Sequence, residues 1–436
     1  MMRPTLAIVA AVAVSAFAAD QPRILTLDDA LKAAREHQPQ LQQAQANTLA
    51  ALARVDEAFA PLLPQVSGTA AYSPSTANFV ARPGSLPSQL SGSSGTESWK
   101  TYNYFNLGLS ASQLLYDFKQ TSSKWRASQA SARSQQGTEK LTLQQVLFTV
   151  RNVYFQARAD KELVTVARET LANQQKHLQQ TQGFVEVGTQ AEIALAQSKT
   201  NVANAQVQLI TAENNYAIAR AQLNQAMGVE QPVDYDVADE SAPPVDGEDA
   251  AGEALAQEAL QARPDVVAAV EQVRAQELTL RSDEGALGPS LGLSTGFVDA
   301  GQQANSLVWN WSASLALSVP LFQGGVTRAQ VREATANLAA AKAQLATARQ
   351  QVLLDVEQAR LSVRAARTAL DASGDALANA TDQLHLAEGR YEVGVGSIIE
   401  LSDAQLALTT AAQQRVQAEY NLAQARAGLL KALGRE

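Results

Sequence analysis

Two rhythms of apolar side chains run through this 436-residue chain. Over residues 326–388, Val331, Leu338, Leu345 and Val352 recur every seven positions, and Ala334, Ala341 and Ala348 fill the intermediate seam positions. That period predicts an antiparallel coiled coil with a thin, alanine-rich interface. Just upstream the period falls to two. Trp309, Trp311, Ala313, Leu315, Leu317 and Val319 alternate with Asn310, Ser312, Ser314, Ala316 and Ser318, while Leu291, Leu293, Thr295 and Phe297 alternate with Ser290, Gly292, Ser294 and Gly296. Each run predicts a strand of roughly ten residues with one oily and one polar face, and together they predict a hairpin. A weaker version joins Val66, Gly68, Ala70 and Tyr72 to Phe105, Leu107, Leu109 and Ala111, with Tyr102 and Tyr104 placed for an interfacial aromatic girdle.

Proline is absent between Pro87 and Pro232 and again after Pro320. Glycine-containing turns at Gly183 to Gly188 and at Gly389 to Gly396 divide each of these stretches into two long helices. The first of each pair, 118–182 and 326–388, is about 65 residues and reaches about 100 Å at ~1.5 Å per residue. The two stretches are copies of one plan. Leu114-Leu115-Tyr116 corresponds to Pro320-Leu321-Phe322, Gly183 to Gly188 corresponds to Gly389 to Gly394, and Ala226-Met227-Gly228 corresponds to Ala432-Leu433-Gly434, all at an offset of 206. Upstream, Pro39 matches Pro264 and Pro64 matches Pro289 at an offset of 225, so the first copy carries an insertion, the Ser/Gly/Pro-rich loop at 73–98.

The predicted organisation is therefore an export signal at 1–19, a first repeat at 20–228, an acidic linker at 229–250 lying against the helices, and a second repeat at 251–436. Each repeat holds a short helix, a β-hairpin (about 65–115, then about 290–319) and a long helical hairpin (117–228, then 324–434). The signal is read from Arg3, the apolar run Leu6 to Val14 and the Ala16-Phe17-Ala18 cleavage pattern. No later apolar run approaches the ~20 residues of a membrane-spanning helix, so the chain is periplasmic or secreted, or it crosses a membrane as strands.

Composition narrows the chemistry. A formal charge of -9 disfavours nucleic acid, and the absence of cysteine excludes disulfides, thiolate sites and a lipidated cysteine. His37, His177 and His385 are scattered without ligand spacing and read as surface residues, so no metal is expected. Gly394-Val395-Gly396 reads as a turn, and neither a Gly-x-Ser-x-Gly nor a phosphate-binding loop is present. No cofactor and no enzymatic activity are expected.

Alternating strands fit a half-buried sheet in a soluble domain as well as a lipid-facing one. The signal, the missing membrane helix and the duplication favour lipid, with Leu291, Leu293, Phe297, Trp309, Trp311, Leu315, Leu317, Phe105, Leu107 and Leu109 as the lipid-facing set. Four strands cannot close a barrel, and open edges cannot face hydrocarbon, so copies of the chain must combine. Two give eight strands, with an interior filled by side chains; three give twelve, with a passage.

Helix, β-hairpin, long helix, glycine turn and returning helix, present twice, resemble the TolC-like outer-membrane efflux proteins. The most specific pieces are the junction Pro320-Leu321-Phe322-Gln323-Gly324-Gly325 and the hairpin tips Phe184 to Thr189 and Arg390 to Val395. The resemblance implies a fold that is mainly α with transmembrane β: a homotrimer closing a twelve-stranded barrel in the outer membrane above a twelve-helix periplasmic tunnel. It also implies a passive export duct for a tripartite efflux or type I secretion system, with a periplasmic adaptor and an inner-membrane pump as partners. An adaptor of the membrane-fusion class is the alternative, although it would carry one helical hairpin between β-rich halves.

Val187, Gly188, Thr189, Val393, Gly394 and Val395 form the tips, either docking an adaptor or serving as turn chemistry alone. Glu400 and Asp403 share a helix face. By resemblance they and Tyr391 belong to the tunnel-entrance constriction, where three copies form carboxylate rings; alternatively the acids complement the helix dipole. Gly396 stands where the family has a basic residue and Ala194 where it has an acidic one, so the entrance is wired differently here.

Overall fold

The computed structural model describes residues 23–76, 99 and 101–436. The predicted export signal and nearly all of the predicted loop at 73–98 lie outside the described residues. In chain order the elements are β1 (Arg23–Leu25), α1 (Leu27–His37), α2 (Pro39–Phe59), a 3₁₀ turn (Ala60–Leu62), β2 (Gln65–Tyr72), β3 (Ser75–Thr76), β4 (Thr101–Tyr102), β5 (Phe105–Tyr116), α3 (Gln120–Glu186), α4 (Glu192–Met227) and β6 (Tyr235–Val237). There follow α5 (Gly252–Ala262), α6 (Pro264–Gly285), β7 (Ser290–Gly301), β8 (Val308–Ser318), α7 (Val326–Glu392) and α8 (Ile398–Leu433). The long helices α3 and α7 have 67 residues each and their returning partners α4 and α8 have 36 each, so the duplication is carried into three dimensions element by element.

The chain falls into two compact units. One comprises Ala44–Lys140 and Pro264–Gln351. Its sheet has the order β2-β5-β7-β8, antiparallel throughout. Val66 pairs with Ala111 and Ala70 with Leu107; Leu291 pairs with Leu317, Leu293 with Leu315 and Phe297 with Trp311. The two hairpins are joined through β5 and β7, with Leu109 opposite Phe297 and a register shift between Leu114 and Tyr116. In α7 the seam alanines Ala334 and Ala341 are buried, whereas Val331, Leu338 and Leu345 are half-buried. Small side chains at these positions let helix backbones approach closely, which is the physical use of the alanine bias.

The junction into α3 departs from the sequence reading. Phe118, predicted to start the helix, is left-handed at φ 53°, as is Lys119 at φ 67°. The equivalent residues of the second copy, Gly324 and Gly325, have φ 63° and 85°. Glycine reaches this region without steric cost, whereas an L side chain pays about 1–2 kcal/mol. The helix begins only at Gln120, and the Asp117 carboxylate accepts from Thr121 N–H at 2.7 Å.

The second unit comprises the described residues up to Gln43, Leu141–Arg263 and Val352–Glu436. Its core gathers Leu25, Val150, Tyr154, Leu223, Met227 and Val237. β1 pairs in parallel with β6, so the start of the described chain and the linker form a two-stranded ribbon over the helices. The Tyr154 hydroxyl donates toward Leu25 O (3.3 Å) and Ala238 O (3.4 Å), fastening that ribbon. Acidic linker residues find basic partners on the helices: Glu248 with Arg426 at 3.1 Å and Asp236 with Lys161 at 2.7 Å. Burial alone would raise the Glu248 carboxyl, but bonds from Arg426 and from Val245 N–H hold it below the ordinary range.

Candidate functional site

Two surfaces carry the residues singled out by sequence. The first is the four-stranded sheet. Trp309, Trp311, Leu315 and Leu317 are each more than 60% exposed. Leu107, Leu109, Leu293 and Phe297 are exposed as well, while Leu291 and Phe105 are half-buried. Cross-strand register puts these side chains on one face. The Trp311 indole N–H is satisfied on that face by Thr295 Oγ1 at 3.0 Å, and Trp309 stacks on Phe297 with ring centroids 6.1 Å apart. The other face is small and polar, with Ser67 against Ser110 and Ser294 against Ser314, each 2.8 Å between hydroxyls. Asp299, opposite both Leu107 and Trp309, was missed in the sequence reading; it places a charged residue on this face near the end of β7, with Phe105 of β5 one pair further along.

The second surface is at the ends of the helical hairpins. α3 closes with Thr189 N–H donating to Phe184 O (2.9 Å) and Gly188 N–H to Val185 O (3.0 Å). α7 closes with Val395 N–H donating to Arg390 O (3.0 Å) and Gly394 N–H to Tyr391 O (3.1 Å). Gly188 and Gly394 sit at φ 75° and 76°, the left-handed position that terminates a helix. Val187, Val393 and Val395 are each about 70% exposed, as is Ile399, and Ile193 is 79% exposed. These two isoleucines escaped the sequence reading, although they too are related by the repeat offset of 206.

Beneath the tips the arrangement differs from the expected one. Tyr391 is only 2% exposed, so within the protomer it is a tie and not a wall of an opening. Its hydroxyl lies 3.3 Å from Thr181 Oγ1 and 3.1 Å from Gln190 Nε2, and its ring packs edge-on against Phe184. The first hairpin is thereby fastened to the second. Glu400 and Asp403 are exposed, and Glu400 pairs with Arg390 at 3.0 Å. A basic partner is thus present, supplied from before the turn. At Gly396 a Cβ would approach Tyr391 N to 2.9 Å and Arg390 C to 3.0 Å, which is why no longer side chain stands there. Ala194, the first-copy counterpart of Glu400, is buried.

His177 also corrects the sequence reading: it is buried at 4% exposure, whereas His37 and His385 are exposed. A groove of about 520 Å³ is lined by α3, α7 and α8. Its basic residues are engaged, Arg158 with Asp239 and Glu419 and Arg415 with Glu419, while Glu162 and Glu169 also line it, so the groove is acidic on balance. Among the described residues no cluster of His, Cys, Asp or Glu could hold a metal ion.

Known proteins carry the same architecture. TolC of Salmonella enteritidis is 27% identical over 418 residues, covering 89% of this chain and 77% of the relative. The pyoverdine export outer membrane protein OpmQ of Pseudomonas putida is 26% identical over 422 residues, covering 94% and 85%. Among solved structures, the CmeC outer membrane channel of Campylobacter jejuni superposes with a TM-score of 0.83 at 18% identity, covering 99% and 94%. CusC superposes with a TM-score of 0.82 at 20% identity, covering 94% and 92%. The outer membrane efflux protein family matches residues 30–229 and 255–435, both repeats and nearly the whole of the described chain. This chain belongs to that family and is an outer-membrane efflux channel.

Proposed function

We propose that three copies of this chain close a twelve-stranded barrel through the outer membrane and pool their long helices into a twelve-helix periplasmic tunnel. The observation that carries this reading is the sheet of the single chain. It exposes an oily face and ends on β2 and β8, strands with no further partner among the described residues. Such edges cannot face hydrocarbon, and joining β2 of one copy to β8 of the next satisfies all of them at once. Three copies leave a passage where two would leave a plugged core. The rows from Leu291 to Asp299 run about 27 Å along the strand at ~3.4 Å per residue, or about 20 Å of height at a barrel tilt of ~40°, most of an outer-membrane apolar band of about 25 Å.

The duct is passive and performs no chemistry. Its partners are an inner-membrane pump and a periplasmic adaptor, which docks on the apolar tips formed by Val187, Gly188, Thr189 and Ile193 and by Val393, Gly394, Val395 and Ile399. Glu400 and Asp403, three copies of each, ring the periplasmic entrance and favour cations, and Tyr391 holds the two hairpins together behind them.

The cysteine-free chain makes the closure directly testable. Single cysteines are scanned along β2 and β8 in pairs and oxidised in outer-membrane preparations. A ladder ending at a covalent trimer is expected; products that stop at a dimer, or monomers at every register, would refute the closure.

A further inference from the structure

The groove lined by α3, α7 and α8 belongs to a single chain, and the export role leaves it without a task. Arg158 meets Glu419 at one end (3.4 Å) and Gln174 meets Gln405 at the other (2.8 Å). Those ends lie about 24 Å apart along α3 at ~1.5 Å per residue. Between them the lining is partly apolar: Leu384 and Val416 are buried, and Val166, Leu377 and Leu408 are half-buried. Glu162 and Glu169 stand two turns apart on one face of α3, about 10 Å along it. Both are exposed, and neither has a hydrogen bond or an ion pair among the described residues. Gln405 is 6% exposed and bonds Gln174. Whichever way round those two amides stand, one polar atom of Gln405 is left buried and unpaired.

We infer that this groove is a binding site for an amphipathic organic cation, one positive charge carried on an apolar body. Its two bases are engaged with Asp239 and Glu419, so the charge left over is that of Glu162 and Glu169. An exposed carboxylate holds a small hydrated cation only weakly, and a bare charge therefore gains little here. An apolar body laid on Val166, Leu377, Leu384, Leu408 and Val416 leaves water and supplies the larger share of the binding. An anion of the same shape meets repulsion from the two glutamates. A metal ion is no alternative occupant, because no cluster among the described residues could ligate one. The volume of about 520 Å³ is that of a site for one drug-sized molecule. The spare amide atom of Gln405 gives a polar substituent of the ligand a partner, which relieves the cost of leaving that atom unpaired.

The groove lies within one chain, so the inference does not rest on the trimer and its test reads binding per chain. Equilibrium dialysis of the full-length protein in lipid nanodiscs is run against tetraphenylphosphonium, with uptake by empty nanodiscs subtracted. Saturable binding of one cation per chain is expected. Tetraphenylborate, of the same shape and opposite charge, and tetramethylammonium, of the same charge without the apolar body, should each bind at least about tenfold more weakly. Replacing Glu162 and Glu169 together by Gln disturbs no buried contact and should weaken tetraphenylphosphonium about tenfold, whereas Glu230→Gln, an exposed acid outside the groove, should leave it unchanged. Leu408→Trp fills the groove and should abolish binding. Absence of saturable binding, equal binding of either comparison ion, or unaltered affinity in the double Gln variant would overturn the site, and none of these results bears on the barrel closure.

Discussion

The ring of Phe118 occupies the space that a side chain on Gly288 would need: a Cβ there would lie 2.4 Å from Phe118 Cγ. The residue that takes a left-handed backbone without being glycine is thus accommodated by a glycine at the foot of β7. The second copy meets the same turn with Gly324 and Gly325 and needs no such accommodation.

Two substitutions separate these effects. Lys119→Gly relieves a left-handed L residue and should raise stability by about 0.5–1 kcal/mol, the relief being partly offset by the extra freedom of the unfolded chain. Gly288→Ala should lower it by about 1–3 kcal/mol through overpacking against Phe118. Thermal unfolding of the detergent-solubilised protein reads both, and a neutral Gly288→Ala would mean that the Phe118 ring moves aside freely.

The two faces of β8 should respond oppositely to charge. Leu315→Arg places a guanidinium on the oily face and should cost about 2–4 kcal/mol, enough to deplete the folded channel from the outer membrane. Ser314→Arg, one residue away on the small polar face, should leave the membrane level unchanged and alter single-channel conductance. Equal depletion by both would assign the sheet to a water-soluble packing.

At the hairpin ends, Arg390 and Glu400 offset one another, and Asp403 is exposed beside them. Replacing Glu400 and Asp403 together by Ala should raise anion conductance relative to cation conductance in planar bilayers, and Arg390→Ala should shift it the other way. Unchanged selectivity in both variants would remove these residues from the conducting path.

The linker should loosen in acid. The Glu248 carboxyl is held below its ordinary value, so it adds stability above the unfolded value of about 4.3 and gives it up as pH falls through the lower folded one. Protease protection of the linker is expected to persist from neutral pH down to that range and then fall. Arg426→Ala removes the main cation and should move the loss to higher pH; an onset that stays put would assign the linker's attachment to other contacts.

The duplication, the two long helical hairpins, the alternating strands and the glycine turns were legible in the sequence because each follows from local periodicity. A period of two fixes which side chains share a strand face, and a period near 3.5 fixes a helical seam, whatever lies on the other side. What periodicity cannot supply is the identity of the neighbour. That β5 of the first repeat pairs with β7 of the second, that Tyr391 is a buried tie, that Arg390 answers Glu400 from the far side of the turn, and that His177 faces Glu388 across two helices were all decided by tertiary packing. These partners stand as much as 211 residues apart, as His177 and Glu388 do. Which of them meet depends on how two helices are rotated and staggered, and single-chain spacing does not encode that phase.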